Sequence, residues 1–175
     1  MAARPPAATG LRVHLDVHGE GRASVSTGLP LLDELLGLLA RAAGFDLEIE
    51  SQGDGGEAEV EAVGRALGAE LADALGRPGA LGLGSGTAPA DEALANAAVD
   101  ASNRPLLVSN VDLTAAHLGG LRGDLLARFL RALSDAAGLT VHVRLLHGED
   151  TRHVVDAVAK ALGLALGQAC RPARG

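Results

Sequence analysis

Residues 11–17 (LRVHLDV) alternate apolar and polar with a period of two, which predicts a half-buried strand. Residues 18–21 then read as a turn and 22–26 as the returning strand. Residues 29–43 (LPLLDELLGLLARAA) put leucines at helical spacing, and Gly44 follows as a terminator. Alternation resumes over 45–51 (FDLEIES), a further strand. A turn at 53–56 leads into a long helical pattern over 58–75, stopped by Gly76 with Pro78 beyond. Residues 79–90 (GALGLGSGTAPA) read as a Gly-rich loop. Residues 94–99 and 106–111 predict two strands around a turn at 102–105, although DEALANAAV also suits a helix. Helical spacing returns over 122–137, ending at Gly138. Residues 139–146 (LTVHVRLL) predict a strand and 151–170 the last helix.

The order helix, strand, turn, helix thus occurs twice. Shifting the chain by 95 positions sets VEAVGRALGAEL (residues 60–71) on VDAVAKALGLAL (residues 155–166), with seven of twelve positions identical. A shift of 94 sets 31–44 on 125–138, both ending Ala-Ala-Gly. This predicts duplicated halves, 11–86 and 87–175, after a loose Pro-rich tail at 1–10. Two sheets packed through their helices would bury both sets of apolar stripes.

Composition narrows the function. The 175 residues are 47% hydrophobic, enough for one substantial core. Net charge is −7, which disfavours nucleic-acid binding through a basic face. Phe45 and Phe129 are the only Phe, Tyr or Trp residues, which disfavours a stacking platform for bases. Cys170 stands alone, without a disulfide partner or a thiolate cluster. No apolar run of about 18 residues predicts a membrane span. The expected compartment is the cytoplasm.

Three polar residues near the C-terminus share one helical face. His153, Asp156 and Lys160 lie at i, i+3 and i+7, away from the stripe of Val155, Val158, Leu162 and Leu166. A His and a carboxylate at that spacing can share a metal ion. They also suit a solvated face with an Asp156–Lys160 pair. The stretch GLGSG (residues 82–86) offers backbone N–H groups to an anion, but lacks a Walker lysine and reads as a linker.

Longer stretches carry a resemblance. TGLPLLDELL (27–36), GFDLEI (44–49), APADEALANAAVDASNRP (88–105), LTVHVRLLHGED (139–150) and RHVVDAVAKAL (152–162) make the chain similar to the imidazoleglycerol-phosphate dehydratase family of histidine biosynthesis. The resemblance implies an α+β fold of duplicated half-domains, each a four-stranded sheet with two helices, packed helix-side in. It also implies removal of water from a phosphorylated imidazole diol, with two manganese ions held by histidines and glutamates from both halves and from neighbouring subunits. Trimers that join into cubic shells of twenty-four subunits are implied as well.

The ligand positions depart from that pattern. Where the family has Asp-His-Met-Leu, this chain has Asp33-Glu34-Leu35-Leu36, and a later histidine is Ala42. The family's first His-His pair and its Glu fall on Glu57, Ala58 and Glu61. The second pair falls on Arg152 and His153, with Asp156 for the usual Glu. His142 keeps its place. If a metal is retained, His142, His153, Asp156 and Glu61 are its expected ligands, and Mn²⁺ or Mg²⁺ the ion. Otherwise no cofactor is expected. Arg152 argues against the ion, because a guanidinium repels a cation or replaces it by pairing with a carboxylate. The family's Arg-Arg-Phe-Gly anion clamp is Leu81-Gly82-Leu83-Gly84, which leaves Arg104 and Lys160 to hold an anion. Two functions follow. One is a homologue that binds a small ligand or partner without catalysis, as a trimer or smaller homo-oligomer. The other is a lyase on imidazoleglycerol phosphate or a related anionic molecule, with His142, His153 and Asp156 as the catalytic groups.

Overall fold

A computed structural model describes residues 10–53, 55–114, 117, 118, 121, 122 and 124–173. The tail expected at 1–10 lies, but for Gly10, outside the described residues. In chain order the elements are β1 (Arg12–Asp16), β2 (Ala23–Ser26), α1 (Pro30–Ala43), β3 (Asp46–Glu50), α2 (Glu57–Leu75), β4 (Leu83–Ala90), β5 (Ala93–Asp100), β6 (Leu106–Ser109), the short pair β7 (His117–Leu118) and β8 (Leu121–Arg122), α3 (Leu125–Ala137), β9 (Thr140–His147) and α4 (Thr151–Cys170).

Two sheets enclose the helices. The first has the order β1-β3-β2 and the second β4-β5-β9-β6. The first sheet therefore has three strands among the described residues, where the family resemblance implied four. Both sheets share a core plan. β3 lies between an antiparallel β1 and a parallel β2, just as β9 lies between an antiparallel β5 and a parallel β6. β4 adds an outer edge to the second sheet. Helices α1 and α2 cover the first sheet, while α3 and α4 cover the second. The two helical layers meet with α1 on α4 and α2 on α3. Leucines supply most of the fully buried bulk (Leu36, Leu39, Leu67, Leu71, Leu133, Leu162), and both phenylalanines sit among them.

β2 does not return alongside β1, as the short turn suggested. Asp46 is the reason. Its Oδ1 accepts the backbone N–H groups of Glu20, at 2.8 Å, and Arg22, at 2.9 Å, which anchors the β1–β2 connection over the start of β3. These bonds, with the Arg22 N–H first, hold the Asp46 carboxyl below its ordinary range. A carboxyl lowered on folding stabilises above its unfolded value, and that contribution disappears as pH falls through the folded one. Asp46→Ala is therefore expected to lower the Tm at neutral pH, with the gap to wild type closing below the ordinary aspartate value of 3.8. Thermal melts across an acid series read this directly.

The Gly-rich stretch is strand, not loop. From Leu83 to Ala90 it pairs residue for residue with β5. Its composition follows from α4 lying against it. A Cβ on Gly84 would fall 1.9 Å from the Ala165 carbonyl oxygen, and one on Gly86 would fall 2.4 Å from the Leu164 Cβ. Edge position also explains how Pro89 is tolerated.

Candidate functional site

The N-terminus of α4 meets the tip of the β4–β5 hairpin. Asp150 opens the helix: its side chain accepts the N–H groups of Arg152, at 2.8 Å, and His153, at 3.2 Å. The hairpin turns tightly at Asp91, whose φ is 47°. That turn delivers Glu92 to the helix start, where Oε1 accepts the N–H groups of Asp150, at 2.8 Å, and Glu149, at 3.2 Å. The other Glu92 oxygen lies 2.5 Å from His153 Nδ1. His153 Nε2 faces Asp91 at 3.3 Å.

Both imidazole nitrogens thus point at carboxylates, which favours the doubly protonated ring. The Glu92 hydrogen bond is the largest influence raising the His153 pKa. Glu92 in turn is pulled down to about 2, first by the Asp150 N–H and then by His153. The raised histidine stabilises fully below its ordinary 6.5 and loses that contribution as pH rises through its folded value. The lowered glutamate stabilises fully above its ordinary 4.5 and loses that contribution towards 2. The pair therefore contributes most between these two ordinary values. Glu92→Gln is expected to show its largest Tm deficit in that window, and wild-type His153 to titrate above 6.5 by NMR.

Across the helix pair, Arg152 of α4 forms an ion pair with Glu34 of α1. Asp156 lies one turn further along α4. Its Oδ1 is buried without a hydrogen-bond partner. Burial, followed by repulsion from Glu34, raises its pKa. Lys160 donates to the Pro89 carbonyl oxygen at 3.2 Å, tying α4 to β4. The face carrying His153, Asp156 and Lys160 is thus half-buried beneath the hairpin rather than fully solvated.

The remaining expected site residues lie elsewhere. His142 on β9 pairs with Ala98 and Val108. It is exposed on the outer face, because Val141 and Val143 take the buried one. Arg104 sits in the exposed β5–β6 turn, where its carbonyl accepts the Thr140 hydroxyl at 2.9 Å. The length of β5 separates it from Glu92, roughly 25 Å at about 3.3 Å per residue. Glu61 belongs to the other helix pair. There Arg128 of α3 reaches Glu61 at 3.2 Å, Asp124 at 3.3 Å and Glu57 at 3.5 Å. The Asp124 hydrogen bond, then Glu57, raises the Arg128 pKa further.

Sequence reasoning missed Asp91, Glu92 and Asp150. Asp150 had a local signal, an acidic residue just ahead of a helical pattern, while Asp91 and Glu92 lay within the stretch 88–105 that carries the family resemblance, with no role attached. Glu92 meets His153 from 61 positions away, which no periodicity reveals.

Within one chain these residues do not assemble a site for a pair of manganese ions. A ligating histidine needs a free nitrogen lone pair, and both His153 nitrogens are directed at carboxylates. His142 is on the far face of its sheet and Glu61 is in the α2–α3 pair. Among the described residues, no three His, Cys, Asp or Glu side chains converge as metal ligands. What the cluster does present is an imidazole whose protonated form the neighbouring carboxylates favour, beside a half-buried carboxylate of raised pKa.

The family model for imidazoleglycerol-phosphate dehydratase matches residues 27–166. The imidazoleglycerol-phosphate dehydratases of Syntrophobacter fumaroxidans and Desulforudis audaxviator are each 42% identical over 93% of this chain and 85% of their own length. Among solved structures, the Staphylococcus aureus enzyme superposes with a TM-score of 0.87 at 31% identity, covering 94% of this chain and 95% of its own. That of Pyrococcus furiosus, solved with (S)-C348, gives 0.83 at 28% identity, covering 95% and 92%. Shared sequence over most of the chain and a shared fold place this protein in the imidazoleglycerol-phosphate dehydratase family.

Proposed function

We propose that this protein is a carbon–oxygen lyase acting on imidazoleglycerol phosphate or a closely related anionic small molecule. The observation that carries this reading is 42% identity spread over 93% of the chain to relatives named for that substrate. Loss of water needs a proton for the departing hydroxyl and a base for the carbon-bound proton. On this reading His153, whose protonated form Glu92 favours, serves as the acid, and Asp156, with a raised pKa and an unpartnered buried oxygen, serves as the base. Lys160, on the same helix, contributes positive charge to an anionic substrate. His142 and Arg104 lie apart from this group within one chain, so a role for them in the reaction requires a neighbouring subunit. We assign the protein to the cytoplasm as a homo-oligomer, a trimer or smaller. No helix among the described residues is long and apolar enough to cross a membrane.

The Glu34–Arg152 pair favours a second reading, a member that binds the small molecule, or a protein partner, without turning it over. One experiment separates the two. Purified protein is given imidazoleglycerol phosphate with and without chelator, and both water loss and binding are followed. Turnover that persists with chelator supports the lyase with the acid and base named here. Binding without turnover supports the second reading, and neither binding nor turnover removes imidazoleglycerol phosphate as the ligand in both.

A further inference from the structure

The two helix pairs carry mirror-image charge. Glu34 on α1 and Arg128 on α3 are 94 positions apart, the offset that relates the halves. Their partners on the facing helices, Arg152 on α4 and Glu57 on α2, are 95 apart. Where α1 gives the acid, α4 gives the base; where α3 gives the base, α2 gives the acid. A second carboxylate stands next to each pair, again 95 positions apart: Asp156 near Arg152 and Glu61 against Arg128. Each inter-helix position thus collects carboxylates from its elements and supplies one arginine to neutralise them.

We infer that Arg152 and Arg128 are built-in cations that take the place of divalent ions between the facing helices, so that this family member is metal-independent. The reasoning is electrostatic. A guanidinium carries its charge at every working pH and offers a planar fork to carboxylates. Once seated, it takes up the oxygens a divalent ion would need and repels that ion at short range. Two arginines on opposite members of the two helix pairs meet carboxylates at equivalent places in the two halves. The inference rests on membership of the family and not on the lyase reading, because it concerns what the site binds rather than what it converts.

The test is a manganese titration of the full-length protein, reading free ion from its six-line EPR signal. Wild type is expected to leave that signal equal to buffer. Arg152→His removes the charge and adds a ligand beside Asp156 and Glu34, so binding is expected to tighten by about a hundred-fold or more. Arg152→Gln, which removes only the charge, serves the same purpose if the histidine variant does not fold, and is expected to tighten binding by about ten-fold. Glu34→Gln keeps the guanidinium and is expected to bind no manganese. Stoichiometric manganese on wild type overturns the inference. So does a folded Arg152 variant that binds no better than wild type. Turnover is measured on the same samples. Metal-free protein without turnover leaves this inference standing while the lyase reading fails.

Discussion

Gly84→Ala is expected to destabilise the fold by about 3 kcal/mol or more, close to 10 °C in Tm for a chain of this size. The added carbon would sit 1.9 Å from the Ala165 carbonyl oxygen and 2.9 Å from the Ala169 backbone nitrogen. Neither is the end of a flexible side chain, so relief requires α4 to lift from the sheet. That movement would reopen the contact with β5 and disturb the packing on α1, since α4 touches both. Ser85→Ala, one residue along, is the control. Ser85 uses its backbone N–H to reach Gln168 at 2.8 Å. Losing its hydroxyl is expected to cost less than about 0.5 kcal/mol. Equal melting temperatures for Gly84→Ala and Ser85→Ala would show that α4 does not approach β4 this closely.

On the lyase reading, His153→Gln and Asp156→Asn are each expected to lower kcat by about 10² to 10⁴, the usual worth of one general acid or base. The two variants separate in their other properties. Glutamine at 153 discards the imidazolium that Glu92 and Asp91 hold, so stability falls along with rate. Asparagine at 156 removes a charge that burial and Glu34 already disfavour, so the Tm is expected to rise while turnover falls. A gain in stability with a loss of rate is the pattern of a group retained for function. Unchanged turnover in Asp156→Asn would remove Asp156 from the chemistry.

Much of the architecture was legible in the residues. The four helices follow from apolar spacing, and the first three also from the glycines at their ends. Gly44 and Gly138 both take the left-handed conformation, with φ of 74° and 65°. β1, β3 and β9 follow from alternation. β4 was not legible, because glycine, alanine and proline carry little strand preference. Its composition answers to a helix some 80 positions downstream. The partner of β2 was hidden for a similar reason: a short connection suggests a hairpin, and only Asp46 reveals that β3 is inserted. At the candidate site, helical spacing put His153, Asp156 and Lys160 together, and the structure keeps them together. The sequence marks Arg152 as a candidate cation replacement, and Glu34 supplies the carboxylate it pairs with. The long-range partners Glu92 and Asp91 were invisible, since their contact depends on where a hairpin tip lands.

The way the helices pair reaches beyond the native structure to how it forms. Each half sends its helices to the other half, α1 to α4 and α2 to α3, and the closest crossings are equivalent. A Cβ on Gly68 would lie 2.6 Å from the Leu133 carbonyl oxygen, and one on Gly163 would lie 2.4 Å from that of Leu39. Neither half can complete a core before its counterpart has left the ribosome, because its apolar helix faces wait for partners up to about 120 residues away. Synthesis therefore passes through a stage in which the first half is complete and its leucine-rich surface uncovered. Folding is expected to be a late, cooperative event that depends on nearly the whole chain. Severed halves, co-expressed, should be soluble only together.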